Sequence, residues 1–186
     1  MGLQPSPAPE REPPHWQIDH ACSGDGPGIV RVQKEAWLAT YPDPAVGLTR
    51  EDIEAIKLDG SEKVERWEAE LAEQSEGKRI WVVRAAEGII GFCVAEKTQD
   101  VHELRAIYVL PEWHGNSVGA GLMAQALEWL GHDREVVVWV FTHNKRAIDF
   151  YQRRGFEITD HTYWLDVNGK RIPDVKMVKP RTAPHS

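Results

Sequence analysis

The chain has 186 residues, 41% of them hydrophobic, which is enough for one domain with its own core and too little for two. Its formal net charge of −7 argues against a nucleic-acid partner. No run approaches the ~18 apolar residues that span a bilayer, the N-terminus lacks a charged-then-apolar signal pattern, and Cys22 and Cys93 form neither a metal spacing nor a disulfide framework. These features predict a protein of a reducing cytoplasm, with no membrane partner and no metal.

Residues 1–14 hold five of the twelve prolines and read as a disordered tail. Residues 15–180 are expected to form a single domain, and 181–186 a C-terminal tail. In His15–Cys22 the apolar residues alternate, which predicts a first strand. Asp25 can cap a helix from Pro27 to about Thr40 whose inner face carries Ile29, Val32, Ala36 and Ala39. A second helix is predicted from Thr49 or Arg50 and a third from Ser61, with Val64, Trp67 and Leu71 at helical spacing. Two strands, 79–85 and 89–96, meet at Glu87-Gly88, and a third covers 101–110 up to Pro111. A helix from Gly119 to Leu130 stops at Gly131. The near-continuous apolar run 135–142 predicts a strand buried on both faces. Asn144 caps a helix to Arg154, and two last strands turn at Asn168-Gly169. The order predicts a mixed α/β sheet of about seven strands with helices on both faces, and a right-handed parallel unit from Val101 to Thr142.

Charge is unevenly distributed. Glu51 to Glu76 contain ten acids and three bases, so this segment carries the whole excess. It either faces water or faces a cationic substrate.

The chemistry is expected in Glu103–Met123. A strand ends at a proline, a polar loop follows, and a helix opens on Gly115, Ser117, Gly119, Ala120 and Gly121. Unpaired N–H groups and the helix dipole at such a start favour phosphate. A Walker loop would need Gly-Lys-Ser/Thr, which is absent, and a dinucleotide turn would follow its strand at once, whereas Gly119 comes nine residues late.

His114-Gly115-Asn116-Ser117-Val118-Gly119 resembles the loop signature of the GNAT superfamily of N-acetyltransferases. His114 stands where Gln or Arg is usual, Ser117 replaces a glycine, and Asn116 lacks the basic side chain often found there. The second family signature is matched closely by Asn144, Ala147, Phe150-Tyr151 and Gly155-Phe156. Residues Gln33–Tyr41 also look like a GNAT first helix.

The resemblance implies a GNAT fold and acetyl-CoA as cofactor. The pyrophosphate would lie on the helix start, Ser117, Val118, Gly119 and Ala120, with His114, Gly115 and Asn116 also binding the cofactor, and the pantetheine would run along Ile107 and Val109 and reach Asn144 and Tyr151. Glu103 would be the general base, since an amine with a pKa near ~10 must lose a proton before attack. Tyr151 would protonate the departing thiolate. Trp37 and Tyr41, with Glu103, would line the acceptor site. Cys93 reads as core and not as a nucleophile.

The implied function is direct transfer of an acetyl group to a primary amine of a small molecule or peptide. Two alternatives are a transferase for a protein N-terminus or lysine and an inactive CoA-binding regulatory module. The acidic segment, and the resemblance of 168–177 to GNAT proteins that include polyamine acetylators, favour an acceptor with extra positive charge. The oligomeric state stays open, a homodimer included.

Overall fold

The computed structural model describes residues 15–73 and 75–181; the two tails assigned from sequence lie outside them, apart from Arg181. Seven strands form one sheet in the order β1-β2-β3-β4-β5-β7-β6. They are β1 (Gln17–His20), β2 (Lys78–Ala85), β3 (Gly88–Lys97), β4 (His102–Val109), β5 (Val136–Phe141), β6 (Glu157–Val167) and β7 (Lys170–Lys179). Only β4 and β5 run parallel, joined through helix α4 (Val118–Leu130) as the crossover rule requires. All other neighbours are antiparallel.

Helices α1 (Gly26–Thr40), α2 (Arg50–Ala55) and α3 (Ser61–Ala72) precede β2, and α5 (Lys145–Gln152) follows β5. The main core joins Ile29 and Val32 of α1, Phe92 of β3, Leu122 of α4 and Val138 of β5. A second core gathers Leu48, Ile53 and Leu58 against Phe141 and Ile172. Among the described residues no helix is long and apolar enough to cross a membrane.

Local chemistry explains where the elements stop and where expectation fails. Asn168 and Gly169 both take positive φ, 52° and 79°, the geometry of the two-residue turn their types favour. The β2–β3 turn falls on Ala86-Glu87, one residue early, because Gly88 already pairs with Ala85.

Asp25 occupies the cap position of α1 but its side chain caps nothing. Its carboxylate instead accepts from Cys22 N and forms a bidentate pair with Arg84 at 2.9 and 2.8 Å. Burial pushes this carboxyl up, but Arg84 and the Cys22 N–H outweigh it and hold the group below its ordinary value. The helix start is satisfied from outside by Glu68 of α3, which accepts from Gly24 N at 2.8 Å and Gly26 N at 2.7 Å. Ala39 is exposed, contrary to expectation; Val30 is buried in addition to Ile29, Val32 and Ala36.

Candidate active site

Strands β4 and β5 are bonded at only two positions, His102 opposite Val136 and Glu103 opposite Val137. Beyond Glu103 they diverge, and a cleft of about 460 Å³ opens between their free edges. Ile107 and Val109 of β4 face Val138 and Val140 of β5 across it. The facing edges carry backbone groups without ladder partners, so an extended ligand could supply the missing rungs.

The loop before α4 closes one end. Gly115 and Ser117 both adopt left-handed φ, 87° and 62°. The second value explains why a glycine suits this position, and Ser117 holds it at a steric cost. Helix α4 has no side-chain cap and its first internal bond runs from Gly121 N to Ser117 O. The N–H groups of Val118, Gly119 and Ala120 are therefore unpaired and point outward from a helix start lining the cleft.

The two helix glycines are small for different reasons. A Cβ on Gly121 would meet Ile18 and Trp16 at 3.1 Å, so this glycine lets α4 pack on the first strand. A Cβ on Gly119 would sit an ordinary 3.6 Å from Phe150, so packing does not require a glycine there.

Tyr151, on α5, is 7% exposed, lines the cleft and packs edge-on against Phe150 and Phe156. No hydrogen bond to another described residue ties down its hydroxyl. Burial pushes its phenol well above the ordinary value, with smaller contributions from Cys93 and Tyr108, so it remains protonated at neutral pH. The Cys93 thiol is likewise raised by burial and sits in the core, where its sequence context predicts it. Asn144 caps α5 through Oδ1, which accepts from Ala147 N at 3.1 Å, and it also lines the cleft.

Four arginines (105, 146, 153 and 154) line the cleft, and among its described lining residues there is no carboxylate. Unpaired amides, free strand edges and concentrated positive charge suit a long polyanion with an extended arm.

Residues 34–156 match the model of the acetyltransferase (GNAT) family. The chain belongs to this family.

An N-acetyltransferase of Methanocaldococcus jannaschii is 39% identical over 61 residues, 32% of this chain and 27% of that protein. One of Archaeoglobus fulgidus is 34% identical over 83 residues, 44% of this chain and 54% of that protein. The chain thus spans between about a quarter and about half of these curated relatives. Among solved structures, the PaiA N-acetyltransferase of Thermoplasma acidophilum, in complex with coenzyme A, superposes with a TM-score of 0.71 at 22% identity. That superposition covers 89% of this chain and 99% of the other.

Of the site residues expected from sequence, most line this GNAT cleft: Tyr41, Ile107, Val109, His114, Gly115, Ser117, Val118, Gly119, Ala120, Asn144 and Tyr151. Three do not. Trp37 lies behind Tyr41, edge-on at 4.9 Å, and Asn116 is engaged through its carbonyl by the Trp16 indole at 3.2 Å. Glu103 belongs to the last bonded pair, where the two strands have not yet parted.

Beside Tyr41 stand two groups the sequence did not flag, Tyr108 and Asp174. The hydroxyls of Tyr41 and Tyr108 stand 3.5 Å apart, and Tyr41 packs on Phe141 at 4.7 Å. Asp174 of β7 is directly opposite Phe141, so its side chain projects from the same face. It is half-buried, its charge reaches both tyrosines, and burial pushes its carboxyl up to about 6. Among the described residues nothing pairs with it.

The acids of Glu51–Glu76 are placed differently from what a cationic acceptor would want. None lines the cleft. Several are occupied in structure: Asp52 with Lys170, Glu54 with Arg50, Asp59 with Lys34, Glu70 with Lys78, and Glu68 at the start of α1.

Proposed function

We propose that the protein is an acetyl-CoA-dependent N-acetyltransferase acting on a primary amine by direct transfer. The observation that carries this reading is the divergence of β4 and β5, with an uncapped helix start at one end and Tyr151 in the wall. Acetyl-CoA, when bound, supplies an acetyl group activated as a thioester. The amides of Val118 to Ala120 and the cleft arginines hold its phosphates, and the edge of β4 at Ile107 and Val109 aligns its arm.

Tyr151 is the proton donor to the sulfur, because it is protonated, buried and free of competing bonds. The base is a carboxylate on the acceptor side. Neither Asp174 nor Glu103 lines the cleft itself, and Asp174 is the better placed of the two, because it is level with the Tyr41–Tyr108 pair. Glu103 lies four residues back along the sheet, about 13 Å at ~3.3 Å per residue, at the end where β4 and β5 are still bonded. Burial also raises the Glu103 carboxyl, which Arg105 partly offsets, so Glu103 remains the alternative base.

A small amine is favoured over a polycation, since the acidic segment does not reach the cleft. The test is thiol release from acetyl-CoA over small primary amines, spermidine, and peptides with a free N-terminus or lysine. Tyr151→Phe should fold normally and lower turnover ~10²-fold or more, the scale of general-acid groups. Turnover confined to peptides would assign the protein or lysine reading, and cofactor binding with no turnover would leave a CoA-binding module.

A further inference from the structure

The loop before α4, residues 110–117, carries no lysine or arginine of its own, and no side chain caps the helix. A cation reaches this loop from another element. Arg146 Nη1, on the first turn of α5, lies 2.7 Å from His114 Nδ1, and both residues line the cleft. Of the other cleft arginines, Arg105 is bonded to Glu96 at 2.9 Å, Arg154 lies over the Phe150 ring at 3.7 Å and donates to the Phe150 carbonyl at 2.8 Å, and the exposed Arg153 makes no side-chain bond to the loop among the described residues. Arg146 has no acidic partner among the described residues.

The imidazole can hold this position in one form only. His114 Nε2 lies 3.1 Å from the carbonyl of Val109, which can only accept, so Nε2 carries the proton. Nδ1 faces a guanidinium, which can only donate, so Nδ1 presents its lone pair. The ring is neutral and bridges the end of β4 to Arg146.

We propose that Arg146, held at the loop by His114, supplies the cationic contact to the cofactor's pyrophosphate that the loop's own residues lack. This rests on the acetyl-CoA reading above. It has a consequence for pH. A second proton on His114 must go to Nδ1, which removes the acceptor and sets two cations against each other. The groups facing the ring are Arg146 from α5, the Val109 carbonyl from β4 and Glu112 from its own turn. Burial first, then the charge of Arg146, hold the ring's pKa below its ordinary value. The bridge is therefore whole at neutral pH and breaks in acid.

Calorimetric affinity measures both claims, with acetyl-CoA and with acetyl-pantetheine, which lacks the pyrophosphate. Arg146→Gln should weaken acetyl-CoA ~10-fold or more, the scale of a charge-assisted phosphate contact, and change acetyl-pantetheine less than twofold. Equal loss with both ligands, or with neither, overturns the assignment. For the wild type, affinity for acetyl-CoA should fall between pH 7.5 and pH 5.5 by several-fold more than for His114→Gln, whose side chain does not titrate. The cofactor's own phosphates titrate alike with both proteins, so equal ratios overturn the role of His114. If the wild type binds no acetyl-CoA at all, the cofactor reading itself fails, a result distinct from either of these.

Discussion

The base role proposed for Asp174 would come at a cost to the fold. Its carboxyl titrates at about 6 in the folded protein, against ~3.9 for an unfolded aspartate. A raised folded-state value means that the native state holds the proton more tightly. The stability linked to it is fully present below pH ~4 and is lost as pH rises through about 6. Asp174→Asn, which mimics the protonated form, should therefore melt higher than the wild type at pH 8 and close to it at pH 4, in parallel scans. If Asp174 is the base, the same variant should lose turnover at neutral pH, so the two measurements move in opposite directions. A variant less stable at pH 8 would mean that the carboxylate is needed by the fold.

Among the elements, α4 separates the packing role of a glycine from its ligand role. Gly119→Glu puts bulk and negative charge at the unpaired amides, and should abolish acetyl-CoA binding with little change in Tm, since a Cβ there has ordinary room. Gly121→Leu should do the reverse, lowering Tm by forcing α4 away from Trp16 and Ile18. Loss of the fold in the first variant, or an unchanged Tm in the second, would contradict this division.

Most elements were legible because their signals are local: glycines at turns, the Asn144 cap, the apolar run of β5. The face presented by Glu103 was less so. A bulge in β4 leaves Arg105 unopposed between Ala106 and Leu104, and it shifts the alternation of every residue before it. Asp174 and Arg146 escaped the sequence reading for another reason. Each meets its neighbour far along the chain, Phe141 across a strand pair and His114 32 residues away, and no periodicity encodes such a meeting.

At the scale of the molecule, charge is sorted. The acids of 51–76 brace α1, β2 and the last hairpin, while arginines gather where β4 and β5 part. The number of these acids is plain from composition, whereas their partners lie too far along the chain to be read from it. The parting itself has a further consequence. Among the described residues two pairs are the only rungs joining β1–β4 to β5–β7–β6, so between the halves of the sheet cohesion falls to the helices that bridge them. Alternate amides along 106–109 and 138–141 should then exchange hydrogen rapidly, and the smaller half should open as a unit of its own before global unfolding. A ligand seated in the gap would complete the ladder from outside. Exchange on both banks should slow together once acetyl-CoA is added, and the separate opening of the β5–β7–β6 half should merge into the global event. Protection appearing on one bank alone would place the ligand outside the gap. The cofactor would then be more than a reactant: the continuity of the sheet, and the cooperativity with which it unfolds, would depend on its concentration.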